Sequence, residues 1–143
     1  MKMVGFQVAV GLGCDRGTPL ATLQRAIDAA LALAGASLAD VAAVASIDLK
    51  ADEVGLLALA AQHGWHMTFY SPVQLAAVAV PNPSETVRKY TGTPSVSEAA
   101  ALLAGRVGMT DLLVEKYKYR GEDGRHATVS ITRYSRQTSS VSL

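Results

Sequence analysis

The opening of the chain carries two successive patterns of apolar positions. Over residues 6–12, apolar side chains alternate with small or polar ones, which is the period-2 signature of a β-strand. After a glycine-rich loop, leucine and isoleucine recur at helical spacing over residues 20–31, with Thr18 as the predicted cap and Pro19 as the first helical residue. The pattern therefore predicts a strand, a loop and a helix, in that order.

A second strand, a helix and a third strand are predicted next. Residues 41–47 are apolar apart from Ser46 and include several β-branched side chains, as buried strands do. Asp52 and Glu53 lie where a helix dipole favours negative charge, and Gly64 is a natural C-terminal stop for that helix. Residues 67–70 have the composition of a short strand.

Capping chemistry and a turn signal define the rest of the chain. Ser71, Asn82 and Ser95 are each followed three residues later by Gln or Glu, which predicts three further helix starts. Two strands are predicted at residues 112–119 and 127–133. The segment between them contains an Asp-Gly pair, which favours a hairpin.

Strands that alternate with helices predict a three-layer α/β/α sandwich with a mostly parallel sheet and a C-terminal antiparallel hairpin. Residues 1–134 are predicted to form a single domain, followed by a disordered polar tail at residues 135–143. In such sheets ligands bind beyond the carboxyl ends of the strands. The loops at residues 11–18 and 48–53, together with Ser71, are therefore expected to converge on one cleft.

Composition narrows the class of protein. The chain is 50% hydrophobic and 17% charged, which indicates a globular domain. Six Lys/Arg and eight Asp/Glu precede Arg106, whereas seven and four follow from it, so the two parts carry −2 and +3. The basic part suits an anionic small molecule, but it lacks the charge and aromatic pattern of a nucleic-acid surface.

No part of the sequence indicates a membrane or secreted protein. The apolar runs are shorter than the roughly 18 residues that cross a bilayer, and no signal-peptide core follows the N-terminus. A single cysteine, Cys14, agrees with a reducing compartment. The expected location is the cytoplasm, with neither nucleic acid nor a membrane as partner.

The glycine-rich loop after the first strand is a candidate anion site. Gly13 and Gly17 leave backbone N–H groups available near a helix N-terminus, beside Arg16 and Thr18. The alternative is a glycine turn that only permits tight packing. The spacing differs from the dinucleotide-binding fingerprint, which argues against a nucleotide site. Cys14 lies where a helix end and a cation lower a thiol pKa, but no base is near in sequence, so a wall residue is the preferred interpretation.

An acidic cluster follows the second strand. One carboxylate of Asp48, Asp52 and Glu53 could act as a general base or orient a water molecule, with Lys50 pairing with a substrate carboxylate. The structural alternative is that the aspartates cap the following helix and the other charges are solvated.

Basic residues and histidines complete the candidates. Lys116 and Lys118 alternate with tyrosines, which puts cations on one face of a strand; they could bind ligand carboxylates or protect an edge strand from aggregation. His63 and His66 are separated by the predicted helix stop, and no further ligand is near, so no metal site is predicted.

Five separated blocks of sequence, in order over almost the whole chain, resemble the CobE/CbiG C-terminal family of cobalamin biosynthesis. The blocks are G-L-G-C-D-R-G-T from Gly11, S-I-D-L-K-A-D-E-x-G-L from Ser46, P-N-P-S-E from Pro81, Y-T-G-T-P-S-V from Tyr90 and E-A-A from Glu98. The resemblance implies a role in making the corrin ring of vitamin B12, whose intermediates carry many acetate and propionate side chains. Loop amides and lysines suit such a polyanion, and apolar walls suit the ring.

The resemblance implies tetrapyrrole binding and leaves two functions open. The first is an accessory or carrier protein that binds a precorrin or hydrogenobyrinic-acid-like intermediate. The second is a hydrolase that opens a precorrin ring lactone with loss of acetaldehyde, as full-length CbiG proteins are associated with doing. Asp48, Asp52 and Glu53 are its catalytic candidates.

The chain resembles the stand-alone CobE type, for which no chemistry carries over, so binding is the preferred hypothesis. The expected partners are the corrinoid or precorrin itself and other enzymes of the cobalamin pathway, with no cofactor and no metal. The candidate ligand-binding residues are Gly13, Cys14, Arg16, Gly17, Thr18, Asp48, Lys50, Asp52, Glu53, Asn82, Ser84, Glu85, Lys116 and Lys118.

Overall fold

The computed structural model describes residues 7–80 and 96–135. These residues form five strands and four α-helices, with single 3-10 turns before β2, α2 and β4. None of these helices has the length and apolar character needed to cross a bilayer. In chain order the elements are β1 Val8–Cys14, α1 Leu20–Ala34, β2 Val41–Ile47, α2 Val54–His63, β3 Met67–Tyr70, α3 Pro72–Ala76, α4 Val96–Gly105, β4 Leu112–Arg120 and β5 His126–Arg133.

The five strands form one sheet in the order β3-β2-β1-β5-β4. β1 pairs parallel with β2, and β2 with β3. β5 runs antiparallel to both β1 and β4, so β4 points the same way as β1. Helices α1 and α2 cover one face, and α3 and α4 the other. The predicted three-layer α/β/α sandwich with a C-terminal hairpin is confirmed, and its two faces are here called the α1 face and the α4 face.

The larger side chains of the core lie on the α1 face. β1 presents Val8, Val10 and Leu12 to this face, and all three are fully buried. Their period of two follows from the pleat of the strand. The buried helix side chains that pack over them are Leu23 and Ile27 of α1 and Leu56 and Leu59 of α2.

The α4 face is built from small residues. A Cβ atom at Gly11 would overlap the Ser97 carbonyl oxygen and the Ala101 amide, so the α4 backbone rests directly on β1. The close approach also brings buried hydroxyls into reach. Ser130 Oγ donates to Ser97 Oγ at 2.9 Å, and Thr132 Oγ1 donates to the Ala101 carbonyl at 3.2 Å. Glycine at position 11 is therefore required by helix packing.

Pairing with β5 moves the first strand relative to its prediction. The sequence pattern places that strand at residues 6–12, whereas β1 runs from Val8 to Cys14. Its last residue, Cys14, is in register with Ala127 of β5. The extension depends on a strand more than a hundred residues away, which local alternation does not report. The predicted bounds of β2 and β3 are confirmed.

The predicted caps have mixed outcomes. The Ser71 capping box is confirmed: Gln74 N–H donates to Ser71 Oγ at 3.1 Å, and Ser71 N–H donates to Gln74 Oε1 at 2.8 Å. The prediction that Thr18 caps α1 is wrong. Pro19 is the N-cap, and Thr18 Oγ1 instead donates to the Asp15 carbonyl at 2.7 Å.

Three predictions fall wholly or largely outside the described residues. The caps predicted at Asn82 and Ser95 lie there, as do residues 136–143 of the predicted tail. Ser135 is described, and its amide donates to the Gly105 carbonyl at 2.8 Å. The single-domain boundary at residue 134 stays a prediction.

The contact between α4 and β1 predicts that Gly11→Ala destabilises the fold. The added methyl group has no room and must push α4 away, which costs about 1–3 kcal/mol of unfolding free energy. Urea denaturation measures the loss. Gly108→Ala is the matched control, because Gly108 has ordinary extended φ of −100° and no described atom lies within 4 Å of the position that its methyl group would take. Equal stability of Gly11→Ala and wild type would contradict the packing.

Candidate functional site

Two loops at the carboxyl ends of β1 and β2 are joined through one carboxylate. Glu53 is 4% exposed; its Oε2 accepts the Gly17 amide at 2.8 Å, and its Oε1 accepts Arg16 Nη1 at 3.0 Å. Arg16 also pairs with Asp52 Oδ1 at 2.9 Å and donates to the Leu49 carbonyl at 3.1 Å. These contacts among Arg16, Gly17, Asp52 and Glu53 are here called the Glu53 joint. The predicted convergence of the two loops is confirmed.

The Glu53 joint corrects the expectation of a cleft between these loops. Gly55 packs so closely on the Thr18 carbonyl that a Cβ there would overlap it. The Gly17 amide, expected to meet a ligand anion, already meets the carboxylate of Glu53. Because the Gly17 N–H group already has a charged acceptor within the chain, this part of the glycine loop is an internal contact rather than a free anion site.

The three acidic candidates occupy different environments. Glu53 is buried in the joint, whereas Asp52 and Asp48 are exposed. The Arg16 guanidinium holds the pKa of the Asp52 carboxyl below its usual range, first through a hydrogen bond and then through its charge. Asp48 forms neither an ion pair nor a side-chain hydrogen bond with residues 7–80 or 96–135. The prediction that the aspartates cap α2 is wrong, since Glu53 is the N-cap and makes no side-chain cap bond.

Cys14 is the last residue of β1 and is partly buried. Burial raises the pKa of its thiol to about 11, although the nearby charge of Lys50 opposes the shift. The expectation that the helix end and Arg16 lower this pKa is therefore wrong: desolvation of the thiolate is the larger effect. The thiol is protonated at neutral pH, which agrees with a wall residue rather than a nucleophile.

One row of cross-strand neighbours lies near the carboxyl end of β1 on the α4 face. Gly13 is in register with Thr128 of β5, and Thr128 is in register with Lys118 of β4. Thr128 alternates with Ala127 and Val129, which are buried on the α1 face, so the row points to the α4 side. Gly13 and Thr128 are partly exposed and Lys118 is exposed. This set of three residues is here called the Gly13 row.

The predicted division of cations and aromatic rings along β4 is supported by packing. Tyr117 and Tyr119 pack against the core of the α1 face, while Lys118 belongs to the Gly13 row on the opposite face. Lys116 is partly buried. In the sheet order, β4 and the acidic loop after β2 lie on opposite sides of β1. The lysines and the acidic cluster therefore lie on opposite sides of the end of β1 and are not next to each other.

The β4–β5 hairpin contributes contacts that sequence reasoning missed. Asp15 Oδ2 accepts the His126 amide at 2.8 Å and lies 3.3 Å from His126 Nδ1. Arg125 Nε donates to the Arg16 carbonyl at 2.9 Å, and Arg125 Nη1 pairs with Asp123 at 3.0 Å. The Asp-Gly turn predicts the hairpin, but nothing in the local sequence indicates that its tip meets the loop after β1.

A small cavity of about 250 Å³ lies between the start of α1 and the hairpin. It was also not predicted. Its lining has mixed charge, and its volume is below the roughly 300–1,000 Å³ of pockets that enclose drug-sized ligands. It is therefore too small to enclose a macrocycle. The lining residues are Pro19, Ala21, Thr22, Arg25, Tyr119, Gly121, Glu122 and Asp123.

The helix that contains His63 ends at Gly64, before His66, as the sequence indicates. His63 Nε2 lies 2.6 Å from Gln24 Oε1, and its ring stacks on Trp65 with centroids 4.4 Å apart. Gly64, between His63 and Trp65, takes the left-handed conformation that ends α2. Within residues 7–80 and 96–135, no group of three or more His, Cys, Asp or Glu is arranged to hold a metal ion.

The remaining candidates, Asn82, Ser84 and Glu85, lie outside the described residues. Val96 is the first described residue after them and begins α4. Ser97 and Glu98, which follow it, are buried. The described candidates thus fall into two groups around the end of β1. One is the Glu53 joint, whose central carboxylate is buried, and the other is the partly exposed Gly13 row.

Similarity to known proteins agrees with this architecture. Residues 8–132 match the family described as cobalamin synthesis G C-terminus. The chain is 41% identical over 109 residues to the cobalt-precorrin-5A hydrolase of Priestia megaterium, covering 76% of this chain and 29% of the hydrolase. It is also 41% identical over 115 residues to protein CobE of a Sinorhizobium species, covering 78% and 73%. The chain therefore spans less than a third of the hydrolase but most of CobE.

A solved structure shows the same fold. The crystal structure of CobE, a protein from the cobalamin (vitamin B12) biosynthetic pathway, superimposes with a TM-score of 0.76 and 34% sequence identity. The match covers 93% of this chain and 98% of that one. The family that the five motif blocks resemble is thereby confirmed. The chain belongs to the CobE/CbiG C-terminal family of cobalamin biosynthesis proteins.

Proposed function

We propose that the chain binds a corrin-ring precursor, a precorrin or hydrogenobyrinic-acid-like intermediate, as an accessory or carrier protein of cobalamin biosynthesis. The observation that carries the proposal is the Gly13 row, a partly exposed strip near the carboxyl end of the central strand with a cation at one side. Corrin precursors combine a broad apolar ring with carboxylate side chains. A flat strip edged by an ammonium group matches both features.

The charges near the end of β1 favour this side over the loop side. At the Glu53 joint, the Arg16 guanidinium already faces two carboxylates of its own chain, so the joint offers little attraction to a further anion. Lys118 is exposed and forms no ion pair with the residues that the structure describes. Lys50, partly buried and close enough to lower the pKa of Cys14, provides a second cation on the far side of β1.

A hydrolase is the second candidate function, favoured by the 41% identity to the cobalt-precorrin-5A hydrolase. Lactone opening with loss of acetaldehyde would need a base or a group that orients water. Glu53 is held in the joint, and the carboxylate of Asp52 is paired with Arg16. Asp48 is the acidic candidate that is both exposed and without such a partner in the described residues. It is therefore the acid on which the hydrolase proposal depends.

The proposed partners follow from the ligand. A carrier receives its corrinoid from one enzyme of the cobalamin pathway and delivers it to another, so contacts with such enzymes belong to the proposal. The proposed location is the cytoplasm. The predicted absence of a cofactor belongs to the same proposal.

Titration with hydrogenobyrinic acid tests the binding function. Transfer of the ring from water to the protein surface should change its absorption spectrum, with saturation at micromolar protein. The titration should weaken as salt rises, because carboxylate–lysine pairs are screened. An unchanged spectrum and no heat of binding by calorimetry at these concentrations would rule the carrier out.

The charge of Lys118 should contribute to affinity without contributing to stability. Lys118→Ala removes an exposed cation from the Gly13 row and is expected to weaken hydrogenobyrinic acid binding by about threefold to tenfold. The unfolding midpoint in urea should stay at the wild-type value. Arg106→Ala, which removes an exposed cation that follows α4 and is not part of the Gly13 row, is the control. Equal affinity for all three proteins would place the anion contact elsewhere.

Replacing the acids separately distinguishes their roles. Glu53→Gln replaces the buried, charged acceptor of two part-buried hydrogen bonds and should lower the unfolding free energy by about 1–3 kcal/mol. Asp48→Asn should leave stability unchanged. Both proteins, and the wild type, are incubated with a lactone-bearing precorrin and assayed for acetaldehyde. Carrier function predicts none, whereas release by the wild type that is lost in Asp48→Asn would establish the hydrolase.

A further inference from the structure

Gly13 is a glycine that the described fold does not require. Its φ lies outside the left-handed region, which in this chain is taken by other glycines. A Cβ built on Gly13 has one described neighbour within 4 Å, the Cβ of Thr128 at 3.9 Å, which is an ordinary contact distance. Glycine inside a strand is unfavourable, because it adds no side chain to the packing and loses more backbone freedom. Because glycine at position 13 lowers stability and no described contact requires it, its presence needs a reason other than packing.

Gly11, unlike Gly13, is required by a packing contact within the fold. Both glycines point to the α4 face of β1, two residues apart. A Cβ at Gly11 would overlap the backbone of α4 at Ser97 and Ala101. At Gly13 the same addition meets no described helix atom within 4 Å. Within residues 7–80 and 96–135, contact with α4 therefore explains why residue 11 is glycine but does not explain why residue 13 is.

The surface around Gly13 changes in character from β1 to β4. Across the Gly13 row the sheet presents bare backbone at β1, the side chain of Thr128 at β5 and the ammonium group of Lys118 at β4. A wide flat molecule can approach the backbone at Gly13 more closely than any other residue would permit. A carboxylate on the rim of that molecule then falls on the side of Lys118.

We propose that the ring face of the corrin ligand lies in van der Waals contact with the β1 backbone at Gly13, and that a rim carboxylate pairs with Lys118. This inference rests on the proposed corrin-binding function and gives it a location and an orientation. Gly13 is then a specificity-determining residue: a side chain there would stand between the sheet and the ring. Ligands of other shapes, which do not need a bare backbone, should be less affected by such a side chain.

The test uses Gly13→Ala and Gly13→Val in the full chain. Both add a Cβ atom that meets one described atom within 4 Å, at the ordinary contact distance of 3.9 Å, and both favour an extended strand more than glycine does. The unfolding midpoint in urea should therefore equal or exceed that of the wild type. Binding of hydrogenobyrinic acid should weaken by about tenfold or more in Gly13→Val, and by less in Gly13→Ala. Gly108→Ala should leave binding unchanged, because Gly108 has ordinary φ and no described atom lies within 4 Å of the added methyl group.

The stability and the affinity of the Gly13 variants together support or overturn the proposed contact. Higher or equal stability with graded loss of binding supports it. Wild-type affinity in Gly13→Val overturns the placement of the ring and leaves the proposed function intact. A lower unfolding midpoint in both variants shows that the protein itself fills the space at Gly13, which also overturns it. Absence of binding by the wild-type chain removes the proposed function and the inference together.

Discussion

Backbone contact between α4 and β1 at Gly11 sets the spacing of one whole layer of the structure. With no side chain between them, helix and strand approach closely enough for Ser130 and Thr132 to reach Ser97 and the Ala101 carbonyl. The core on this face can therefore be built mainly from alanine, whereas the α1 face is filled by valine, leucine and isoleucine. The asymmetry follows from β1, because its side chains are large on the α1 face and are only alanine or glycine on the α4 face.

The Glu53 joint ties together the two loops on the other side of β1. A loop that carries a positive-φ glycine and precedes a helix is a common place for an external anion. Here the anion is a side chain of the same chain, buried and bonded to both Arg16 and the Gly17 amide. An incoming carboxylate would have to displace it, at the cost of a buried charge that loses its partners. The binding proposed on the α4 face would avoid that cost, because it leaves the joint undisturbed.

Sequence reasoning was accurate where the signal is local. The β2 and β3 bounds follow from short apolar runs, and the Ser71 capping box follows from a three-residue spacing. The convergence of the loops after β1 and β2 follows from parallel topology alone. Their actual contact does not: Arg16 and Glu53 are 37 residues apart, and no periodicity links them. Cys14 is the clearest failure, because its sequence neighbours predict a low thiol pKa and its burial, which depends on the whole core, produces a high one.

The three glycines of the loop motif illustrate why a pattern of residues does not translate directly into a site. Gly11 is needed for helix contact, and Gly17 for a left-handed turn with φ of 78°, where the Arg125 guanidinium also lies close. Both requirements are internal to the fold, so the motif as a whole is mainly architectural. Gly13 differs, because neither its φ nor a described neighbour explains it. When the structural reasons for a motif are assigned one residue at a time, the residue that remains is the one whose identity a ligand can explain.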